Sequence, residues 1–164
     1  MRKWLLLGVL LLAAPVAAQN EINWSAYPSA TSYLATELNA LADAGKVLGA
    51  AIDNTTASDM YVDVEIFVNT QGSARSAGAY IAIYFLPSVD GTNYTYGDAS
   101  TVPPANTLVC TMPLDAAVTA RYQSCRGLLQ PASKWKLLVT NATGQAFAAT
   151  GTTVKYSTYS AEVN

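Results

Sequence analysis

The chain contains no histidine, so few side chains are left that could shuttle a proton or hold a metal. Asp63 and Glu65 stand two apart in MYVDVEIFVN, and Asp90, Asn93 and Asp98 fall within LPSVDGTNYTYGD. Paired carboxylates serve glycosidases as acid and nucleophile, and clustered oxygens suit calcium. A Ser-His-Asp or Cys-His arrangement cannot be built at all. Asp63 and Glu65 alternate with Val62, Val64 and Ile66, which puts both on the polar face of a strand, where two solvated carboxylates are ordinary. Asp90-Gly91 suits a tight turn, since glycine accepts a positive φ and aspartate caps its own backbone. Its spacing to Asn93 and Asp98 matches no EF-hand loop. The sequence thus points to a protein that is not an enzyme, with no catalytic residue, metal site or cofactor.

Cys110 and Cys125 are the only thiols. In an oxidising compartment such a pair reads as a disulfide between neighbouring antiparallel strands, worth about 3 kcal/mol on the chain-entropy argument. In a reducing cytosol the same pair reads as two buried thiols.

The compartment is addressed by MRKWLLLGVLLLAAPVAAQ. Arg2 and Lys3 precede an apolar run from Trp4 to Ala14, Pro15 breaks it, and Val16 and Ala18 are small residues at the −3 and −1 positions. This is the pattern of a secretory signal cleaved between Ala18 and Gln19. The apolar run is short for a membrane span, and an uncleaved N-terminal anchor helix is the alternative. Cleavage would remove Arg2 and Lys3, leaving seven basic against eleven acidic side chains from the nine and eleven of the full chain. That balance gives no electrostatic footprint for nucleic acid.

Hydrophobic residues make up 51% of the chain and charged residues 12%, and Tyr occurs ten times, a composition that favours sheet over helix. Residues 19–33 read as an extended arm, and 34–45 as a turn or short helix. Strands are expected near 46–52, 60–69, 79–86, 107–114, 119–129, 134–141 and 152–160, with a short piece at 146–148. Pro, Gly, Asn and Asp turns separate them. Met60, Val62, Val64, Ile66 and Val68 should share the buried face of one strand. The last strand, carrying Lys155, should be a protected edge. The expected fold is all-β: an antiparallel two-sheet sandwich, jelly-roll-like, of seven to eight strands. Its divisions are a leader over 1–18, an arm over 19–33 and a β-sandwich domain over 34–164.

The remaining candidates are aromatic. Tyr94 and Tyr96 alternate after the Asp90-Gly91 turn, so both rings should lie on one face of a following strand. With Trp24 and Trp135 they are candidates to contact a partner protein or to stack on a sugar ring, the latter making a carbohydrate-binding module. Asn23, Asn54, Asn93 and Asn141 each begin an N-x-S/T triplet, a number that arises by chance in a Thr-rich chain; behind a bacterial-type leader no glycosylation is expected.

The order LNALADAGKVLGAAIDNTT, MYVDVEIFV, YIAIYFLPSVDGTNYTYGD and KWKLLVTNATGQAFAATGTTVKYSTYS resembles small structural proteins of tailed bacteriophage virions, over residues 34 to 160. LPSVDGTNY and TNATGQAFAATGTTVKY are its most specific pieces. The resemblance implies a capsid-decoration or tail-accessory role. The chain would form a homo-oligomer, attach to major capsid or tail proteins, and be located in the virion. The leader supports a second expectation, an exported bacterial protein, secreted or at the cell surface, that builds a filament or coat from identical subunits. A cell-surface glycan is the partner in the carbohydrate-binding alternative.

Overall fold

The computed structural model describes residues 22–163. The leader, with its expected cleavage between Ala18 and Gln19, lies outside the described residues.

The strands are β1 (Ile22–Trp24), β2 (Thr31–Leu34), β3 (Lys46–Leu48), β4 (Ile52–Asp53), β5 (Tyr61–Val68), β6 (Tyr80–Ser88), β7 (Leu108–Pro113), β8 (Arg121–Leu129), β9 (Lys134–Ala142), β10 (Thr153–Tyr159) and β11 (Ala161–Val163). Short 3-10 turns at Thr36–Leu38 and Ala105–Thr107 are the only helical pieces among the described residues. All pairings are antiparallel. The first sheet runs β2-β10-β5-β8, and the second runs β3-β9-β6-β7, with β4 also on β9. β1 and β11 form a separate two-stranded ribbon.

One core lies between the sheets. β5 contributes Val62, Val64, Ile66 and Val68, β6 contributes Ile81, Ile83 and Phe85, and β9 contributes Trp135, Leu137 and Val139. The alternation in β5 makes it half-buried, since period two sends every second side chain to one face. Met60 departs from the expected row: it precedes the strand and is exposed. β6 and β9 are apolar on both faces for a reason visible in the second sheet. Ala82, Leu86 and Leu138 are buried outside the main core. The connection between β6 and β7 folds back over this outer face, and a β-carbon on Gly97 would come within 3.0 Å of Leu86 Cδ1.

That connection begins with LPSVDGTNYTYGD. Gly91 has φ 74°, and Asp90 Oδ1 accepts hydrogen bonds from the Thr92 and Asn93 N–H groups at 2.8 and 2.7 Å. The pair forms a turn, as expected, but no strand follows it. The segment lies across the sheet as a cover.

The segment 19–33, expected as an extended arm, is tied to the fold where it is described: β1 pairs with β11 and β2 with β10. Three further expectations change. The segment 46–52 is broken into β3 and β4. No strand forms at 146–148. β10 is not an edge but is flanked by β2 and β5, because the N-terminal segment supplies the edge strand.

Candidate partner-contact surface

The outer face of the first sheet is crossed at one end by the segment between β1 and β2, where outward-facing Ser157 is buried and donates to the Pro28 carbonyl at 2.9 Å, and Asp63 organises that end. Asp63 points outward from β5, opposite an irregularity in β8 where the register passes from Val62↔Leu128 to Val64↔Cys125. The extra residue there is accommodated by Gly127 at φ 63°, as a bulge with a left-handed glycine requires. The bulge aims the Gly127 N–H at Asp63 Oδ1, 2.7 Å away. Tyr159 donates its hydroxyl to the same oxygen and Tyr27 donates to Oδ2, each at 3.1 Å. Burial, the hydrogen bond to Asp63 and its charge together push both phenols above their ordinary value, burial being the largest cause.

These bonds hold a set of rings. Tyr61 and Tyr159, opposite each other in β5 and β10, stack with centroids 5.6 Å apart. Trp24 meets both edge-on at 5.7 Å, and Tyr27 leans on Tyr159 at 5.6 Å. Trp24 is 65% exposed and Tyr27 62%. Leu129, Tyr61's partner in β8, is also exposed. The other end of the face carries a second aromatic pair, Phe67 and Tyr122, 4.5 Å apart. Between the two ends Glu65 and Lys155 stand in register. Edge-to-face and offset aromatic pairs are rigid, so the patch offers contact area at little conformational cost.

The aromatic candidates from the sequence do not gather. Trp24 belongs to this patch. Trp135 is completely buried in the core beside Phe85, ring centroids 4.7 Å apart, and touches no partner surface. It occupies an inward position of β9, and its alternation with half-buried Lys134 and Lys136 carried that signal. Tyr94 and Tyr96 lie on the cover over the other sheet. Lys136 Nζ sits 4.2 Å above the Tyr94 ring, while Tyr96 is free and exposed. The residues that sequence reasoning missed are Tyr27, Tyr61 and Tyr159. Tyr61 was legible as an outward residue of the alternating strand, but its meeting with Tyr159 depends on the pairing of β5 with β10.

Of the carboxylates considered for chemistry, Asp63, Asp90 and Asp98 are engaged by the fold. Asp63 holds three donors. Asp90 also accepts from the Asn93 side chain at 2.6 Å and from Ser88 at 3.0 Å, and Asp98 accepts from the N–H groups of Ser100 and Thr101. These backbone and side-chain donors hold both loop carboxylates below the usual range. Asn141 and Asn54 of the N-x-S/T triplets are buried.

Cys110 on β7 and Cys125 on β8 are joined as a disulfide with Cα atoms 6.4 Å apart. The bond ties an edge strand of one sheet to an edge strand of the other. Among the described residues no helix is long and apolar enough to cross a membrane.

The molecule is therefore an all-β protein of two antiparallel sheets with a partly exposed aromatic patch on the outer side of the first. The chain matches no protein-family model and no curated protein.

Proposed function

We propose that the protein is a non-enzymatic structural component of a bacteriophage virion, of the capsid-decoration or tail-accessory type, working by self-association and attachment to a particle. The patch of Trp24, Tyr27, Tyr61 and Tyr159 around Asp63 carries this reading. Exposed aromatic surface fixed by hydrogen bonds is costly to leave in water and is the composition of contact surfaces. The strand order supports the finer fold: with β3 and β4 taken as one interrupted strand, two four-stranded sheets result, in the arrangement of a jelly roll. The resemblance of residues 34–160 to small virion proteins points the same way. Native sizing of the mature protein, with and without particles from its source, tests the reading. An oligomer that sediments with the particle is expected; a monodisperse monomer that never does so ends it.

The disulfide favours a second reading, an exported bacterial protein forming an extracellular filament or coat, because such bonds persist in oxidising compartments. N-terminal sequencing separates the two. Gln19 as the first residue supports export, and Met1 supports assembly in the cytoplasm.

A further inference from the structure

The part of the second sheet's outer face beside the cover carries two hollows. Tyr80 and Tyr84 project from it, four residues apart on β6, which at strand rise places them about 13–14 Å apart. Buried Ala82 lies between them. On the β9 side a trough of about 510 Å³ is lined by Asp43, Lys46, Tyr80, Tyr84 and Thr140. On the β7 side a second hollow of about 400 Å³ is lined by Gly78, Thr111 and Pro113, and by Tyr80 again. Tyr80 is the ridge between the two hollows and is 41% exposed. Its register partners are Ala142 on one side and Pro113 on the other, so the hollows follow one another across the strands.

We propose that this double trough binds a neutral oligosaccharide, laid across Tyr80 with sugar rings against Tyr80 and Tyr84. Each hollow has the size of a small-ligand site. A sugar presents an apolar C–H face to an aromatic ring and a rim of hydroxyls that both donate and accept. The trough supplies both partners. Asp43 commits one oxygen to the Gly144 N–H at 2.7 Å and has a second, and Lys46 is a donor. Asp43 and Lys46 contribute one charge of each sign, which fits a ligand without net charge. Strand addition by a peptide is excluded on this face, because β6 is already paired on both sides by β9 and β7. The site differs from the Trp24 patch, lies on the opposite sheet, and does not depend on which particle or surface carries the protein.

The test is titration calorimetry and amide chemical-shift mapping of the full protein with maltotetraose, cellotetraose and tetra-N-acetylchitotetraose. Saturable binding of at least one is expected, with shifts centred on residues 80–84, 111–113 and 140–142. Tyr80→Ala should weaken it about tenfold or more, as loss of an aromatic anchor does. Tyr84→Ala, which removes the second ring of the site, should weaken it severalfold and covers the case in which Tyr80→Ala fails to fold. Tyr122→Ala, on the other sheet, should leave binding unchanged. Absence of saturable binding by all three sugars overturns the proposal. So does binding that survives both Tyr80→Ala and Tyr84→Ala. Sedimentation with particles is measured separately, so loss of either property leaves the other readable.

Discussion

The Tyr33 hydroxyl accepts a hydrogen bond from the Leu137 N–H at 3.0 Å, although the two residues belong to different sheets. The same hydroxyl donates to the Ala50 carbonyl at 2.5 Å. Ala50 sits in the break between β3 and β4, where the edge of the second sheet leaves β9. A phenol from β2 thus completes the ladder that the break interrupts, and its ring occupies the space beside Gly49. A β-carbon on Gly49 would lie 2.2 Å from that ring.

Tyr33→Phe removes the hydroxyl and leaves the Leu137 N–H without its partner. An unmade hydrogen bond in a part-buried site costs roughly 1–3 kcal/mol. Urea unfolding should show a lower midpoint with unchanged slope. Gly49→Ala should destabilise by a similar amount, about 1–3 kcal/mol, because the ring must move. In the double variant the two costs should not add, since both act on one ring.

Tyr33 also gives the fold an alkaline limit. Burial pushes its phenol up to about 12, against an ordinary value near 10. The folded state holds this proton more tightly than the unfolded state does. The resulting stability is intact below about pH 10 and is lost as pH rises toward the folded value. Unfolding midpoints measured across that range should fall for the wild type, and the fall should be shallower for Tyr33→Phe.

Much of the fold was legible in the residues, and the reasons for the exceptions are physical. Val62, Val64, Ile66 and Val68 announced β5 because period two is a local property of the chain. β6 was legible by a different signal, an apolar run on both faces, as a central strand has. Trp135 lies in the core against expectation because an aromatic ring has the same local pattern whether it faces a core or a partner. β10 was taken for an edge because its Lys155 and polar ending suit one, yet its neighbour β2 comes from the other end of the chain. The Asp63 cluster joins residues 27, 61, 63, 127 and 159, which only long-range pairing brings together. LPSVDGTNYTYGD revealed its turn through Asp90 and Gly91, but its role as a cover became visible only over Leu86 and Leu138.

The disulfide should act on the unfolded chain more than on the folded one. Replacing Cys110 and Cys125 together by Ala should cost about 3 kcal/mol for a loop of this length. Reduction of the wild type under native conditions should lower the unfolding midpoint similarly. An unchanged midpoint after complete reduction would mean that contacts between β7 and β8 already hold this side closed.

Asn141 should prove the costliest polar residue to remove. It is fully buried, and its Nδ2 donates to the carbonyls of Leu41, Ala42 and Gln145 at 2.9, 3.1 and 2.8 Å. Its Oδ1 accepts from the Thr143 N–H and hydroxyl. Asn141→Ala leaves several of these groups buried and unpaired, at about 1–3 kcal/mol for each that water cannot reach. Asn141→Asp should also destabilise, since three acceptors would then face a carboxylate with no N–H to offer. Hydrogen exchange should locate the damage at residues 41–45 and 141–147 rather than in β5.

The Asp63 patch permits a test that separates assembly from folding. Trp24 is mostly exposed and makes its aromatic contacts at the rim of the cluster, so Trp24→Ala should change the unfolding midpoint little. If the patch is buried in an assembly, the same substitution should weaken association by roughly 2 kcal/mol or more, as loss of an aromatic anchor does. Asp63→Asn acts through the electrostatics. It removes the charge and weakens the acceptor that raise Tyr27 and Tyr159, so both phenols should titrate at lower pH, as followed by phenolate absorbance. It also weakens the grip on the Gly127 N–H and so frees the bulge that orients the rings. Weaker association in both variants, with near-native stability in Trp24→Ala, would locate the contact at these rings. Native association in both would remove the patch from the assembly and leave the remaining outer surfaces to account for it.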